Sequence, residues 1–446
     1  MEENNNEKKE FIKEKISKKT GAGKGFRNFI KILVGAILFG VIAAGVFVLS
    51  KPAAEKILGT EAESTTVEVV TIPRDDTPET ESETETETEP ESTETVEETE
   101  NETESTQEEE STENIEDVVT GLIDNYEYSM DDLNGLWKNL SVLCNDLDSS
   151  IVAIRKTKED EIFDAYDSSD DEFSGVVIAE TYNETMILTL SDAVFGDEEL
   201  EIMWVNGNSQ PGYLKHTDDI SGLAIISAKK SEMTDTVKAL VKPIGLGNSY
   251  AITRGDLLIA MGSPRGRIHS TDYTWASYID KNAYTIDGPS RIIYISDYLD
   301  NNKGTWLLNV KGELIGWNDK SYDGNVVVGI SDYKSLIERM SNSSDYAYLG
   351  IVPSHIPEEI ISDVSLRVPK GVYVLEVEKE GPAYIAGILP GDIVTAIDNK
   401  DINNVTEYSA CLETLNEGDG VTVSVSREAR GEYRKLEYPV VVGKRR

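Results

Sequence analysis

Cysteine and histidine are scarce in this chain, and their scarcity removes several chemistries. Of 446 residues two are cysteines, Cys144 and Cys411, far apart and each in a helix-like stretch. There is no Cys-x-x-Cys, so neither a redox motif nor a disulfide framework is indicated, and buried free thiols are the expectation. The three histidines, His216, His269 and His355, stand alone. A metal site needs several such ligands close together, so none is expected, and the sequence asks for no cofactor. Basic residues are in deficit: 42 Lys and Arg against 83 Asp and Glu give a formal net charge of −41. No basic stripe remains to grip phosphates, which excludes nucleic acid as a partner.

The acidic excess is unevenly placed. Residues 60–117 carry roughly two dozen acidic residues against one Arg, Arg74, about half of the excess. Residues 1–31 are a polar tail with about nine Lys and Arg, followed at 32–50 by the uncharged run ILVGAILFGVIAAGVFVLS. At 1.5 Å per residue this run nearly spans a hydrocarbon core of ~30 Å. A cleaved signal peptide has a shorter apolar region, ~7–15 residues. The run is therefore expected to be an uncleaved single-pass transmembrane helix. Its basic flank keeps the N-terminus in the cytoplasm and sends the bulk of the chain outside. Residues 51–114, with repeats such as ESETETETEPESTETVEETE, have little apolar surface to bury. They read as a disordered Glu/Thr/Ser-rich linker extended by self-repulsion: a spacer through a cell wall, or a plain tether.

Residues 115–148 form a helical lead-in. Leu133, Leu136, Trp137, Leu140, Leu143, Cys144 and Leu147 recur at spacings of three and four, with Ser129 or Asp131 as the cap. Packing on the next domain is the expectation, with self-association as the alternative.

From 149 to 342 the pattern changes to short apolar runs separated by Gly, Asp, Asn and Ser. Ile151–Ile154, Gly175–Ile178, Met186–Leu188, Leu223–Ile226, Leu257–Ala260, Arg291–Tyr294 and Val326–Val328 predict strands of a mainly β barrel or sandwich. Ser335–Met340 closes the region as a helix. Within it, Asn301–Gly316 reads NNKGTWLLNVKGELIG. Trp306–Leu308 and Leu314-Ile315 predict a hairpin turning at Lys311-Gly312, fed by a tight polar loop where an enzyme would display a nucleophile. A third unit, 346–446, opens with Tyr348-Leu349-Gly350-Ile351. It continues through the strand Gly371–Val377, the segment Glu380–Val394, a helix from Val405 to Leu415 and a strand at Val421–Val425.

These segments resemble, in order, the HtrA/DegP family of trypsin-like serine proteases. Leu307, Leu308, Asn309, Gly312, Glu313, Ile315 and Gly316 match the family's L-L-N-x-x-G-E-x-I-G run without a gap. Ser149–Ile154, Ser174–Ile178 and Arg254–Pro264 resemble its opening strand, its G-S-G-x-I strand and its G-D-x-x-x-A-I-G-x-P segment. Glu380–Val394 resembles the G-S-P-A-x-x-A-G-L-x-x-G-D-x-I signature of PDZ domains. The resemblance implies a trypsin-like double β-barrel over 149–342, a PDZ domain over 346–446, and assembly as a homotrimer on a bacterial cell surface.

It also implies where the catalytic triad should stand, and there the sequence departs. The His position, after Ile187-Leu188-Thr189, is Asp192; the Asp position, before Leu223-Ala224, is Gly222; the Ser position is Lys303. A serine protease needs a hydroxyl, an imidazole and an orienting carboxylate, and none of the three remains. Asn301 and Thr305 replace glycines of the oxyanion loop, and Lys303 is expected to pair with Asp192. Tyr348, Leu349, Gly350 and Ile351 match the PDZ loop that captures a terminal carboxylate, so peptide or protein C-termini are the expected partners. The expectation is an inactive protease homologue. An active endopeptidase with a non-standard site and a structural oligomeric spacer are the alternatives.

The linker reading makes a first prediction. Limited proteolysis with a Glu-specific enzyme cuts between residues 60 and 113 well before the folded region; equal resistance throughout would contradict it.

Overall fold

A run such as Ile151–Ile154 has apolar side chains on both faces, so its strand must be covered on both sides. The computed structural model describes residues 68–76, 128–156, 172–196 and 199–445. There, β1 (Ile151–Lys156), β2 (Phe173–Glu180), β3 (Glu184–Leu190), β4 (Leu200–Trp204), β5 (Ser209–Asp218) and β6 (Leu223–Lys229) close one antiparallel barrel. Its strand order is β1-β2-β3-β6-β5-β4. A second barrel repeats that order with β7 (Leu257–Gly262), β8 (Ser270–Thr285), β9 (Gly288–Ile295), β10 (Thr305–Leu308), β11 (Leu314–Asn318) and β12 (Val326–Gly329). The expected double barrel is present. So is the hairpin at its centre, where β10 pairs β11 with Trp306 opposite Trp317.

The third unit has short strands β13 (Ala347–Tyr348), β14 (Ile351–Ser354), β15 (Val372–Val377), β16 (Ile393–Ile397) and β17 (Lys400–Asp401). The longer β18 (Gly420–Ala429) and β19 (Glu432–Val441) follow, then β20 (Gly443–Lys444). The sheet runs β14-β15-β16-β18-β19, with β17 on β16, while β13 and β20 pair apart from it. Helices are few: α1 (Met130–Leu147), α2 (Asp235–Leu240), α3 (Lys334–Ser341), α4 (Glu358–Ser362), α5 (Pro382–Ala386) and α6 (Val405–Leu412).

The cores follow the sheets. Val152, Ile154, Ile202 and Trp204 fill the first barrel, and Leu258, Ile293, Leu307 and Val327 the second. A larger cluster joins Ile151, Leu188 and Ile225 to Ile259, Trp306 and Trp317, welding one barrel to the other. Each buried aliphatic side chain here contributes about 1.5–3 kcal/mol. One polar bond crosses the same seam: Trp306 Nε1 donates to Ser174 Oγ at 3.1 Å. Cys144 and Cys411 are both buried free thiols, as expected.

Two expectations need adjustment. Helix α1 begins at the cap Ser129, which forms a reciprocal capping box with Asp132. Its apolar face, however, is used only at one end. Leu140, Leu143, Cys144 and Leu147 pack on the barrels, whereas Leu133 and Leu136 stay exposed. Trp137, at 44% exposure, keeps an edge-on contact with Tyr273. Residues 115–127 lie outside the described residues, as do the basic tail and the expected transmembrane helix. Among the described residues no helix is long and apolar enough to cross a membrane.

The second adjustment concerns the acidic linker. Residues 68–76 fall inside it, yet they form a strap against α3. Val70 N and Ile72 N donate to Asn342 Oδ1 and Glu338 Oε2, both at 2.9 Å. Asp75 accepts from Ser331 Oγ at 2.6 Å and from Lys334 Nζ at 2.9 Å. Lys334 is 2% exposed, and a buried ammonium requires such a carboxylate. The unstructured reading fails over these residues because Val70 and Ile72 supply the apolar anchors that the Glu/Thr repeats lack.

The chain end is pinned in the same way. Arg445, just past β20, forks onto Asp218 at the end of β5, with Nε to Oδ1 at 2.8 Å and Nη2 to Oδ2 at 3.2 Å. Burial disfavours the guanidinium charge, but Asp218 outweighs it and holds its pKa above the ordinary value. Arg445→Met leaves a carboxylate buried and unpaired, at an expected cost of about 3–5 kcal/mol. Denaturant unfolding checks this, and the further change Asp218→Asn should recover part of the loss.

Candidate functional site

The seam between the barrels collects the triad positions. β3 pairs β6 along its length, with Leu190 opposite Leu223, so the residues that follow and precede these strands are neighbours. Ser191 N donates to Gly222 O at 2.8 Å and begins the 3₁₀ turn Ser191–Val194 that carries Asp192. From the other barrel, Lys303 O accepts from Ser174 N at 2.6 Å, on the strand next to β3. Gly304 follows at φ +89°, where an added Cβ would lie 2.7 Å from Ser174 O. The loop therefore reaches across the seam, and positions 192, 222 and 303 converge on it.

What they carry is a carboxylate, no side chain and an ammonium. Asp192 makes an ion pair across the seam, but its partner is Lys320 rather than Lys303. The reason lies in Asn301. Its Nδ2 donates to Asp319 O at 3.3 Å and to Tyr322 O at 2.9 Å, seating the turn after β11 beside the loop. Lys320 rides on that turn and pairs with the carboxylate. Thr305, two residues beyond Lys303, is fully buried, and its Oγ1 donates to Asp300 O at 2.6 Å. Asn302 N donates to Asp300 Oδ1 at 2.9 Å, at the surface. Two imidazoles are engaged elsewhere: His269 Nδ1 contacts Asp148 at 2.8 Å and His216 Nδ1 contacts Thr217 O at 2.7 Å. His355 follows β14 in the third unit. Among the described residues no group of metal-ligating side chains forms.

The second candidate is the loop Tyr348–Ile351, between β13 and β14. Gly350 has φ +81°, and a Cβ there would meet the Tyr348 hydroxyl at 2.9 Å, so glycine is required for the turn. The turn aims successive amides at one point. Leu349 N and Gly350 N donate to Asp287 Oδ2 at 2.8 and 2.9 Å, and Ile351 N donates to Oδ1 at 3.2 Å. Tyr408, on α6, adds its hydroxyl to Oδ1 at 2.7 Å. Asp287 belongs to the second barrel, at the tip of the β8–β9 hairpin. Burial pushes its carboxyl pKa up, against the pull of the Gly350 amide, the Tyr408 hydroxyl and the other two amides. Burial and then the Asp287 charge push the Tyr408 phenol up as well.

A family model described as "PDZ domain" matches residues 339–437. Over 288 residues the chain is 26% identical to "Serine protease Do-like HtrA" of Lactobacillus helveticus, covering 60% of this chain and 68% of that one. Over 330 residues it is 26% identical to "Serine protease Do-like HtrA" of Bacillus subtilis, covering 67% and 72%. The chain is HtrA-like, a trypsin-fold protease homologue with a PDZ domain. A solved structure described as "HtrA-type protease AlgW with tripeptide" matches 69% of this chain and 97% of its own, at 19% identity and a TM-score of 0.48.

In this HtrA-like chain, sequence reasoning missed three site residues. Lys320 and Tyr408 carry no local signal. Asp287-Gly288 does carry one, since Asp-Gly marks a hairpin turn, but the turn gives no hint of what it touches. The seam ion pair makes a prediction. Lys320 and Asp192 are 46% and 40% exposed, so their coupling is small. A double-mutant cycle of Asp192→Ala with Lys320→Ala should give about 0.2–1 kcal/mol. The cycle of Asp192→Ala with Lys303→Ala should give a smaller value.

Proposed function

We propose that this HtrA-like chain has lost peptidase chemistry and binds peptide C-termini or unfolded protein segments through its PDZ domain. It acts as a membrane-anchored protein of the bacterial cell surface, in quality control or regulation. The observation that carries the proposal is the set of side chains at the triad positions. Asp192, Gly222 and Lys303 place no hydroxyl and no imidazole where a serine protease needs them, and the nearby Thr305 hydroxyl is committed to Asp300. The amides gathered by the Gly350 turn support carboxylate capture, since they already hold a carboxylate. The apolar run at 32–50, with its basic flank, supports the anchor and the extracellular placement. The exposed Leu133 and Leu136 of α1 support self-association, and the family resemblance suggests a trimer.

A fluorogenic-peptide and casein assay on the full chain, with a serine-reactive phosphonate probe, tests the first part. No turnover and no labelling are expected; labelled protein would overturn it. Changing Asp192→His, Gly222→Asp and Lys303→Ser together should not restore activity. Asn301 and Thr305 keep the loop tied to the Asp319, Tyr322 and Asp300 carbonyls. Screening a C-terminal peptide library tests the second part, with hydrophobic free-acid peptides expected to bind and their amides not. Gly350→Trp should abolish that capture.

A further inference from the structure

Carboxylate recognition by a PDZ module uses two sets of groups: loop amides for the carboxylate, and an exposed strand edge for the backbone of the last residue. Here both sets are occupied by the chain itself. The three amides of Leu349, Gly350 and Ile351 converge on the side-chain carboxylate of Asp287. Its backbone N donates to Ile351 O at 2.7 Å, as an added strand would. From the opposite wall, Ser409 Oγ on α6 donates to Asp287 O at 3.3 Å, while Tyr408 caps the carboxylate. Further back along the hairpin, the Tyr284 hydroxyl accepts from His355 N at 3.1 Å, and the Tyr284 ring packs on the PDZ core.

An ordinary hairpin turn would not be built this way. Asp287 sits at φ +63° and is 3% exposed, and among the described residues no ammonium or guanidinium hydrogen-bonds to it. A buried carboxylate in a left-handed turn persists only where its surroundings hold it, and here the holders are the PDZ donors. We propose that the β8–β9 hairpin is an internal ligand of the PDZ groove. Asp287 stands in for a terminal carboxylate, so an external C-terminus binds only by displacing it. One seat cannot hold two carboxylates, because both would need the same four donors. Ligand arrival at the PDZ therefore frees a hairpin of the second barrel, linking peptide binding to the body beside it. The identity of the competitor rests on the peptide-binding reading above; the occupation of the seat does not.

Asp287→Gly tests this in the full chain, because glycine accepts the turn's φ and removes only the carboxylate. Two readouts are taken: hydrogen exchange at the Leu349, Gly350 and Ile351 amides, and anisotropy of a labelled decapeptide ending in a free Val carboxylate. Exchange is expected to quicken at all three amides without peptide. Peptide affinity is expected to rise at least about tenfold, because the competent fraction no longer has to be released first. Unchanged exchange overturns the proposal whatever the peptide does, and so does equal affinity of the variant and the parent. Faster exchange with no peptide binding by either protein upholds the internal ligand and removes the peptide-binding reading. Should Asp287→Gly not fold, Tyr408→Phe takes one donor from the same carboxylate and should move both readouts less, in the same direction. No movement would overturn the proposal.

Discussion

A buried guanidinium must meet a carboxylate, and in this molecule that requirement sets where the PDZ domain can sit. Arg445 stands at the chain end, beyond the last PDZ strand. It grips Asp218 at the end of β5 in the first barrel, and its Nη1 donates to Ile286 O at the tip of the β8–β9 hairpin. One side chain thus ties together the PDZ terminus, the first barrel and the second. Since either charge alone would be strongly unfavourable when buried, the three bodies share one arrangement or lose the pair together. The seating of Asp287 depends on it, because Ile286 is the residue immediately before.

The barrels are held by packing rather than by the side chains at the triad positions. The seam is built from Trp306, Trp317, Ile259 and Leu188, and none of these contacts depends on a nucleophile. The loop at Lys303 still crosses to Ser174, and the turn at Asp192 still rests on Gly222. Around those positions side chains act as fastenings: Asn301 holds the Asp319–Tyr322 turn, Thr305 holds Asp300, and Asp192 holds Lys320. Polar groups at the seam need partners, and these find backbone carbonyls and Lys320.

The strands that were legible in the sequence share a property. Ile151–Ile154, Leu223–Ile226 and Leu307-Leu308 are continuously apolar because both of their faces are covered. Those overlooked in the barrels, β4, β5 and β8, alternate with polar residues or run half-exposed. β8, with its Thr, Asp, Lys and Asn residues, carries no apolar run to announce it. The PDZ loop was readable because Gly350 marks a turn that only glycine makes easily. The residue inside that loop was not. Asp287 lies about sixty residues away in the chain, and its Asp-Gly pair signals a turn with equal force whether its tip faces water or a row of amides. The reach of Lys303 suggests a pair with Asp192, but the sequence gives no sign that Asn301 seats the turn carrying Lys320, the lysine that makes it.

The strap has a topological consequence. Asp75 and Lys334 stand 259 positions apart in the chain, yet they meet in one ion pair. The cost of bringing together segments so distant is met by the barrels, whose core already holds Leu336, Ile337 and Met340 of α3 in place. Fastening residues 68–76 to α3 therefore adds only the ordering of one short segment.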